Sequence, residues 1–282
     1  MMPVALASTS AVAYGISDYL GGVASRRARA LRVVSISYPV SIALVAVAAI
    51  VAGGSPGLVG LAWGLASGVA SGVAVWTFYV ALSRGPMSVI SPITAILAAA
   101  GPLAFGLAAG EQPGSVAMAG MAIALVATVL ASMEGEHGSS VQHGRLTRHL
   151  LVLSVVSGLA FAAFFVLLAQ VPAGQGLWPV AASRVGATVI LLAAAVAAGE
   201  SFRFSRRLIA IGVVIAVFDA VANGAFYFAA QSGVLALVSV IAALYPAFTV
   251  ALAVTHGGER LRSVQMVGLA LAAVAIVLLA LA

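Results

Sequence analysis

The chain has 282 residues, 63% of them hydrophobic and only 7% charged, and its mean hydropathy is +1.19. A soluble domain is about 25% charged, so 7 acids and 13 arginines are too few to clothe a water-facing surface. Those figures exclude a soluble enzyme and a disordered tail protein, and leave an integral membrane protein.

The pI near 10.5 invites a nucleic-acid reading, which the distribution of charge opposes. All 13 basic residues are Arg, placed singly or in small groups between apolar runs. Residues so placed set topology or meet lipid phosphates. The absence of Cys excludes disulfides, thiolate metal sites and thiol nucleophiles. Neither a metal nor a cofactor is expected, and the spacing of His137, His143, His149 and His256 makes no metal site. The start, Met1-Met2-Pro3, lacks the positive charge of a signal peptide, so the first apolar run is expected to stay as a helix.

In chain order the apolar runs cover residues 3–25, 33–53, 58–83, 87–109, 115–133, 149–171, 177–199, 207–230, 234–256 and 263–281. Each is near the roughly 20 residues that a helix needs to cross a bilayer, and about twice a barrel strand. None alternates polar with apolar as a barrel strand does. The expected fold is all-α, with ten transmembrane helices. Turn-formers punctuate the runs, among them Gly53-Gly54-Ser55-Pro56, Arg84-Gly85-Pro86 and Gly110-Glu111-Gln112-Pro113. One clearly hydrophilic stretch, Glu134 to Thr147, divides five spans from five. The expected organisation is therefore an N-terminal five-helix repeat at 1–135, a polar linker at 136–147 and a C-terminal repeat at 148–282, all in one integral membrane domain.

The halves match. At an offset of 148, Phe78-Tyr79 falls on Phe226-Tyr227, Gly85 on Gly233, Ser91 on Ser239, Glu111 on Glu259 and Gly120 on Gly268. At 147 and 146, Tyr14 falls on Phe161 and Ser37 on Ser183. Five spans per repeat is odd, so the second copy is inverted in the membrane. The arginines test this independently. Loops after spans 1, 3, 5, 7 and 9 carry four, one, two, three and two Arg, and the remaining loops and both termini carry none. By the positive-inside rule the Arg-bearing loops are cytoplasmic and both termini lie outside.

Ala243-Leu-Tyr-Pro-Ala-Phe248 through Gly257-Gly-Glu-Arg-Leu261 and Val264-Gln-Met-Val-Gly268 resembles the ten-helix EamA-like branch of the drug/metabolite transporter superfamily. A weaker first copy runs from Ser91-Pro-Ile-Thr94 through Gly110-Glu111 to Gly120. The resemblance implies secondary transport of small metabolites, often amino-acid export. It also implies a central cavity lined mainly by spans 1–4 and 6–9, with 5 and 10 peripheral. Many members of the family are drawn with cytoplasmic termini; the Arg count here argues the opposite.

Three charged residues fall deep inside spans: Asp18, Arg184 and Asp219. Each costs roughly 2.5–3.5 kcal/mol at a helix centre, so each should face protein or a water-filled cavity. Asp18 shares a helical face with Ser10, Tyr14, Ser17 and Gly21. Asn223 and Tyr227 continue the face of Asp219. A guanidinium that clamps a carboxylate, beside carboxylates that hold an ammonium, suits an amino-acid zwitterion. Buried salt bridges that fix packing are the alternative. Aromatic walls from Tyr38, Trp76, Tyr79, Trp178 and Tyr245 would suit an apolar side chain or a cation, although Trp178 near a span end fits an interfacial belt. Ser239 joins these candidates as the repeat partner of Ser91. Pro92 and Pro246 are candidate gate hinges, because proline inside a span removes a backbone hydrogen bond. Gly60, Gly64, Gly68 and Gly72 form a four-residue stripe that suits close helix packing. Glu111 and Glu259, in loops, suit helix capping.

These features point to a secondary transporter that exports amino acids or similar small metabolites across the inner membrane by alternating access. A proton-coupled cation or drug exporter is the alternative, with a passive channel behind it. An intramembrane enzyme is disfavoured by the lack of HExxH, GxSxG and paired-Asp motifs. The expected partners are a small-molecule substrate and lipid, not nucleic acid, and a monomer is compatible with this reading.

Overall fold

The computed structural model describes residues 1–26, 28–133, 147–256 and 262–282. Every regular element among them is helical: α1 (Met2–Ser25), α2 (Ala30–Ala52), α3 (Leu58–Leu82), α4 (Met87–Ala108), α5 (Ser115–Ser132), α6 (Arg148–Ala169), α7 (Trp178–Ala197), α8 (Arg206–Ser232), α9 (Leu235–Ala242), α10 (Tyr245–Thr255) and α11 (Ser263–Leu281). The ends agree with the expected spans to within three residues. Most of the linker, together with Arg27, Arg145, Arg260, His137, His143 and Glu259, lies outside the described residues.

Among the described residues nine spans are long and apolar enough to cross a membrane, with α9 and α10 counted as one. The tenth, α1, is 24 residues long, about 36 Å at the helical rise, but Thr9, Ser10, Tyr14, Ser17 and Asp18 lower its hydropathy.

The ninth span departs from expectation, because it is broken at Ala243-Leu244. Pro246 has no N–H to give, and the Ala247 N–H bonds Leu244 O at 3.0 Å, a tighter turn than an α-helix makes. Ala243 O is thereby released, and Thr128 Oγ1 on α5 donates to it at 3.3 Å. A buried carbonyl without a partner costs several kcal/mol in an apolar setting, so Thr128 makes the break tolerable. Pro92 and Pro102 lie within α4, which runs on without interruption.

The extensive helix pairings all join one half of the chain to the other. They are α3 with α7 and α6, α1 with α8 and α10, α2 with α7 and α8, α4 with α6 and α9, and α5 with α11. Exchanging the repeats maps this set onto itself: α1 on α8 becomes α6 on α3, and α1 on α10 becomes α6 on α4. These pairings are the ones that two inverted five-helix repeats would make, and α5 and α11 pair with each other.

The glycine stripe of α3 makes the closest of these contacts. A Cβ at Gly64 would overlap Pro179 O, one at Gly68 would overlap Ser183 O, and one at Gly72 would lie 2.7 Å from Ile190 Cβ. Gly186 answers from α7, where a Cβ would come within 2.6 Å of Leu65 O. Small residues let the two backbones touch, and that contact fixes the height and rotation of α7. Arg184 is the next residue after Ser183.

Candidate functional site

Arg184 is 1% exposed and Asp219 is 8% exposed. The structure pairs them: Arg184 Nη1 donates to Asp219 Oδ1 at 3.1 Å and to Oδ2 at 3.2 Å. Three further groups complete the arrangement. Ser41 Oγ on α2 donates to Asp219 Oδ2 at 2.7 Å. Asn223 Nδ2, one turn along α8, donates to Asp219 Oδ1 at 3.1 Å. Tyr14 on α1 donates its hydroxyl to Asn223 Oδ1 at 2.9 Å. The guanidinium lies near two rings, 5.3 Å from the Tyr38 centroid and 5.9 Å from that of Phe164. This cluster joins α1, α2, α6, α7 and α8 through a pair that is neutral overall. Arg184 Nε is buried without a hydrogen-bond partner.

Asp18 stands differently. It is exposed and makes no hydrogen bond or ion pair to a described residue. Its exposure is not to lipid. The exposed residues Ala5, Thr9 and Val12 mark the outward stripe of α1, and a residue nine positions from Thr9 points the opposite way round the helix. Ser10 and Ser17 on the inner face are sealed at 0% and 8% exposure. Beyond them Asp18 is open, and a Cβ at Gly21 or Gly22 meets nothing within 4 Å. Asp18 therefore opens onto a crevice on the inner side of α1, bordered by Gly21 and Gly22. Among the polar residues of α1, Tyr14 faces the ion-pair cluster and Asp18 this opening.

Two tyrosines lie near that carboxylate. Tyr79 and Tyr245 are half-buried and lie within electrostatic range of Asp18, as does Asp219. The Tyr14 and Tyr245 rings meet edge to face at 6.1 Å, which links the ion-pair cluster to the start of α10. Gly15 of α1 packs here too, its absent Cβ leaving room for Phe248, and Thr249 Oγ1 donates to Gly15 O at 3.2 Å. Hence Asp18, Tyr14, Tyr38, Tyr79, Tyr245, Arg184, Asp219 and Asn223 form one connected region.

Other candidates fall elsewhere. Trp76 is 41% exposed, on the outward stripe of α3 with Leu65 and Val69. Trp178 opens α7 at the end of a span. Ser239 is buried and its hydroxyl returns to Ala236 O at 3.2 Å. Tyr227 is 2% exposed near the other end of the molecule.

The repeat partners of Asp18, Gly21 and Tyr79 are buried. Tyr79 corresponds to Tyr227 at offset 148; Asp18 and Gly21 correspond to Phe165 and Leu168 at 147. Phe165 packs 4.6 Å from Phe226 and 4.9 Å from Phe164, centroid to centroid, and Leu168 is 0% exposed. At the face opposite the arginines the α2–α3 and α6–α7 loops meet. Gly57 N donates to Gln175 Oε1 at 3.2 Å, and Gly54 lies so close to Gly176 that a Cβ would come 2.7 Å from its nitrogen. Glu111 accepts from Leu235 N at 2.7 Å and from Ala236 N at 2.9 Å. Its capping is therefore of α9 in the other repeat, not of the helix that follows it in sequence.

Sequence reasoning missed Ser41, Thr128 and Phe164. A buried Ser or Thr in an Ala-rich helix carries no sign of which carbonyl or carboxylate it meets.

The EamA-like transporter family matches residues 146–281. This chain carries an EamA-like transporter domain. A sequence search of curated proteins finds no match. A solved crystal structure with 15% identity covers 99% of this chain and 96% of its own, with a TM-score of 0.75; at that identity the likeness shows the fold. Members of that family are membrane transporters of small molecules, and the apolar helices of this chain are those of a multi-pass membrane protein.

Proposed function

We propose that the protein is a secondary transporter that exports amino acids or similar small metabolites across the inner membrane by alternating access. Asp18 holds the substrate's ammonium, Tyr79 and Tyr245 flank it, and both termini lie outside. One observation carries the reading: the crevice holds a carboxylate with no partner among the described residues, while Phe165, Leu168 and Tyr227, the repeat partners of Asp18, Gly21 and Tyr79, are buried. That asymmetry between equivalent residues is what an inverted-repeat transporter has when stopped in one of its two states. Loading of the crevice from the Arg-bearing face, which the positive-inside rule makes cytoplasmic, fits export.

Arg184 suits a substrate carboxylate only if Asp219 releases it. The geometry favours a framework role for that pair, with Asp18 as the recognition group. This also gives weight to a second reading, a proton-coupled cation exporter, because a lone carboxylate among tyrosines suits an organic cation as well as an amino acid. Counterflow in proteoliposomes separates the two. Saturable exchange of L-amino acids, lost in Asp18→Asn, supports the first; exchange of a quaternary ammonium such as tetramethylammonium, without amino-acid exchange, supports the second. Unsaturable flux of either would mean a channel and would overturn both.

A further inference from the structure

Three ties between the repeats can be compared. At the Arg-bearing face, Arg29 Nη1 meets Glu200 Oε1 at 3.1 Å, and Arg32 donates to Ser201 O at 3.1 Å and to Arg203 O. These bonds join the α1–α2 loop to the α7–α8 loop. The repeat exchanges those loops with the α6–α7 and α2–α3 loops, and Gln175 joins the latter pair to each other at the opposite face. Both ties are made in the same conformation, so neither distinguishes the open face from the sealed one.

The third tie has a carboxylate as its acceptor; its repeat counterpart, Glu259, lies outside the described residues. The Glu111 carboxylate leaves the α4–α5 loop and takes the first two backbone N–H groups of α9, one on each oxygen. It holds α9 where the sealed face closes. That helix has only eight residues and is divided from α10 by the break at Ala243-Leu244, so it is a short segment with a joint at its far end. Gly106 makes room for the contact: a Cβ there would overlap Glu111 Oε2 and come 3.1 Å from Ala236 N. A carboxylate on free N–H groups at a helix start is a charge-assisted contact, and this one is half-buried, so water can replace it when the helix swings.

We infer that Glu111 is the latch of the sealed face: its bond to Leu235 and Ala236 holds the outer exit shut, and its release belongs to the opening of that exit. The inference rests on the alternating-access reading above. Because the chain has no cysteine, single reporters can be placed without background. Gly21→Cys reports the open crevice, and Leu168→Cys reports its sealed repeat partner. Each is reacted with a charged maleimide in nanodiscs, where both faces are wet.

In the parent chain Gly21→Cys reacts fast and Leu168→Cys slowly. Glu111→Gln is expected to raise the Leu168→Cys rate and lower the Gly21→Cys rate, moving their ratio by roughly tenfold. Gly106→Ala, which crowds the carboxylate from its other side, is expected to move the ratio the same way and provides the test should Glu111→Gln not fold. An unchanged ratio in both variants overturns the latch and leaves alternating access standing. A rise at both reporters means general loosening and also overturns it. Fast reaction of both reporters in the parent is the mark of an open pore and sinks the alternating-access reading itself.

Discussion

Asp18 and Asp219 have the same side chain and opposite situations. Asp219 receives bonds from Arg184, Ser41 and Asn223, whereas Asp18 receives none from a described residue. Removing one partner of a buried ion pair leaves the other charge uncompensated, at about 3–5 kcal/mol. Asp219→Asn is therefore expected to lower the Tm in detergent substantially, and Arg184→Leu likewise. The double variant should lose clearly less than the sum of the two. Asp18→Asn should leave the Tm nearly unchanged while proteoliposome flux falls to background. A large loss of thermal stability in Asp18→Asn would place the residue in the framework instead. The sequence marked all three charges as the places to look, because charge inside a span is costly. It did not say which were paired: Arg184 and Asp219 are on neighbouring helices 35 residues apart, and only the rotation of α7 against α8 brings them together.

At the scale of the helix, glycine does two different jobs that spacing alone does not separate. Gly68 is pressed on Ser183 O, and Gly21 borders empty space. Gly68→Ala should force α3 and α7 apart at about 1–3 kcal/mol, read as a lower Tm and weaker flux, since α7 carries Arg184. Gly21→Ala should be neutral or slightly stabilising, because alanine suits a helix better by about 1 kcal/mol. The spans themselves were legible within three residues, since a run of apolar residues near bilayer length has little choice but to be a helix. The break in the ninth span was not. Prolines 39, 92, 102 and 246 all lie in apolar runs, yet α2 and α4 pass through theirs without a break. A hydroxyl on α5 takes up the carbonyl released ahead of Pro246. Thr128→Val, which keeps the shape and removes the hydroxyl, is expected to lower stability by about 1–3 kcal/mol, measured by thermal unfolding.

For the molecule as a whole, the sequence suggests a repeat through Phe78-Tyr79 over Phe226-Tyr227 and through the alternation of arginines, and the pairing of helices across the two halves accords with it. The difference in burial between Tyr79 and Tyr227 has no sign in the sequence. On the alternating-access reading proposed above it belongs to one state of the cycle, and a state is a property of packing, not of composition. Orientation remains checkable at this scale. A reporter fused after Ala282 should be active only as an exported enzyme, as with a periplasmic phosphatase; cytoplasmic activity there would reverse the orientation.

The way the two halves are laced together also sets a timetable for synthesis. The main partners of α3 are α6 and α7, and α7 begins 120 residues after α3 does. At ribosomal rates of about 5–20 residues per second the glycine stripe of α3 waits roughly 6–24 s with lipid or insertion machinery against it. Over that interval the first five helices are in the bilayer without the surfaces that hold them in place. A chain stopped at the polar linker is thus left in the condition that membrane quality control removes, and tertiary structure arrives late, as the second copy is threaded among helices already inserted.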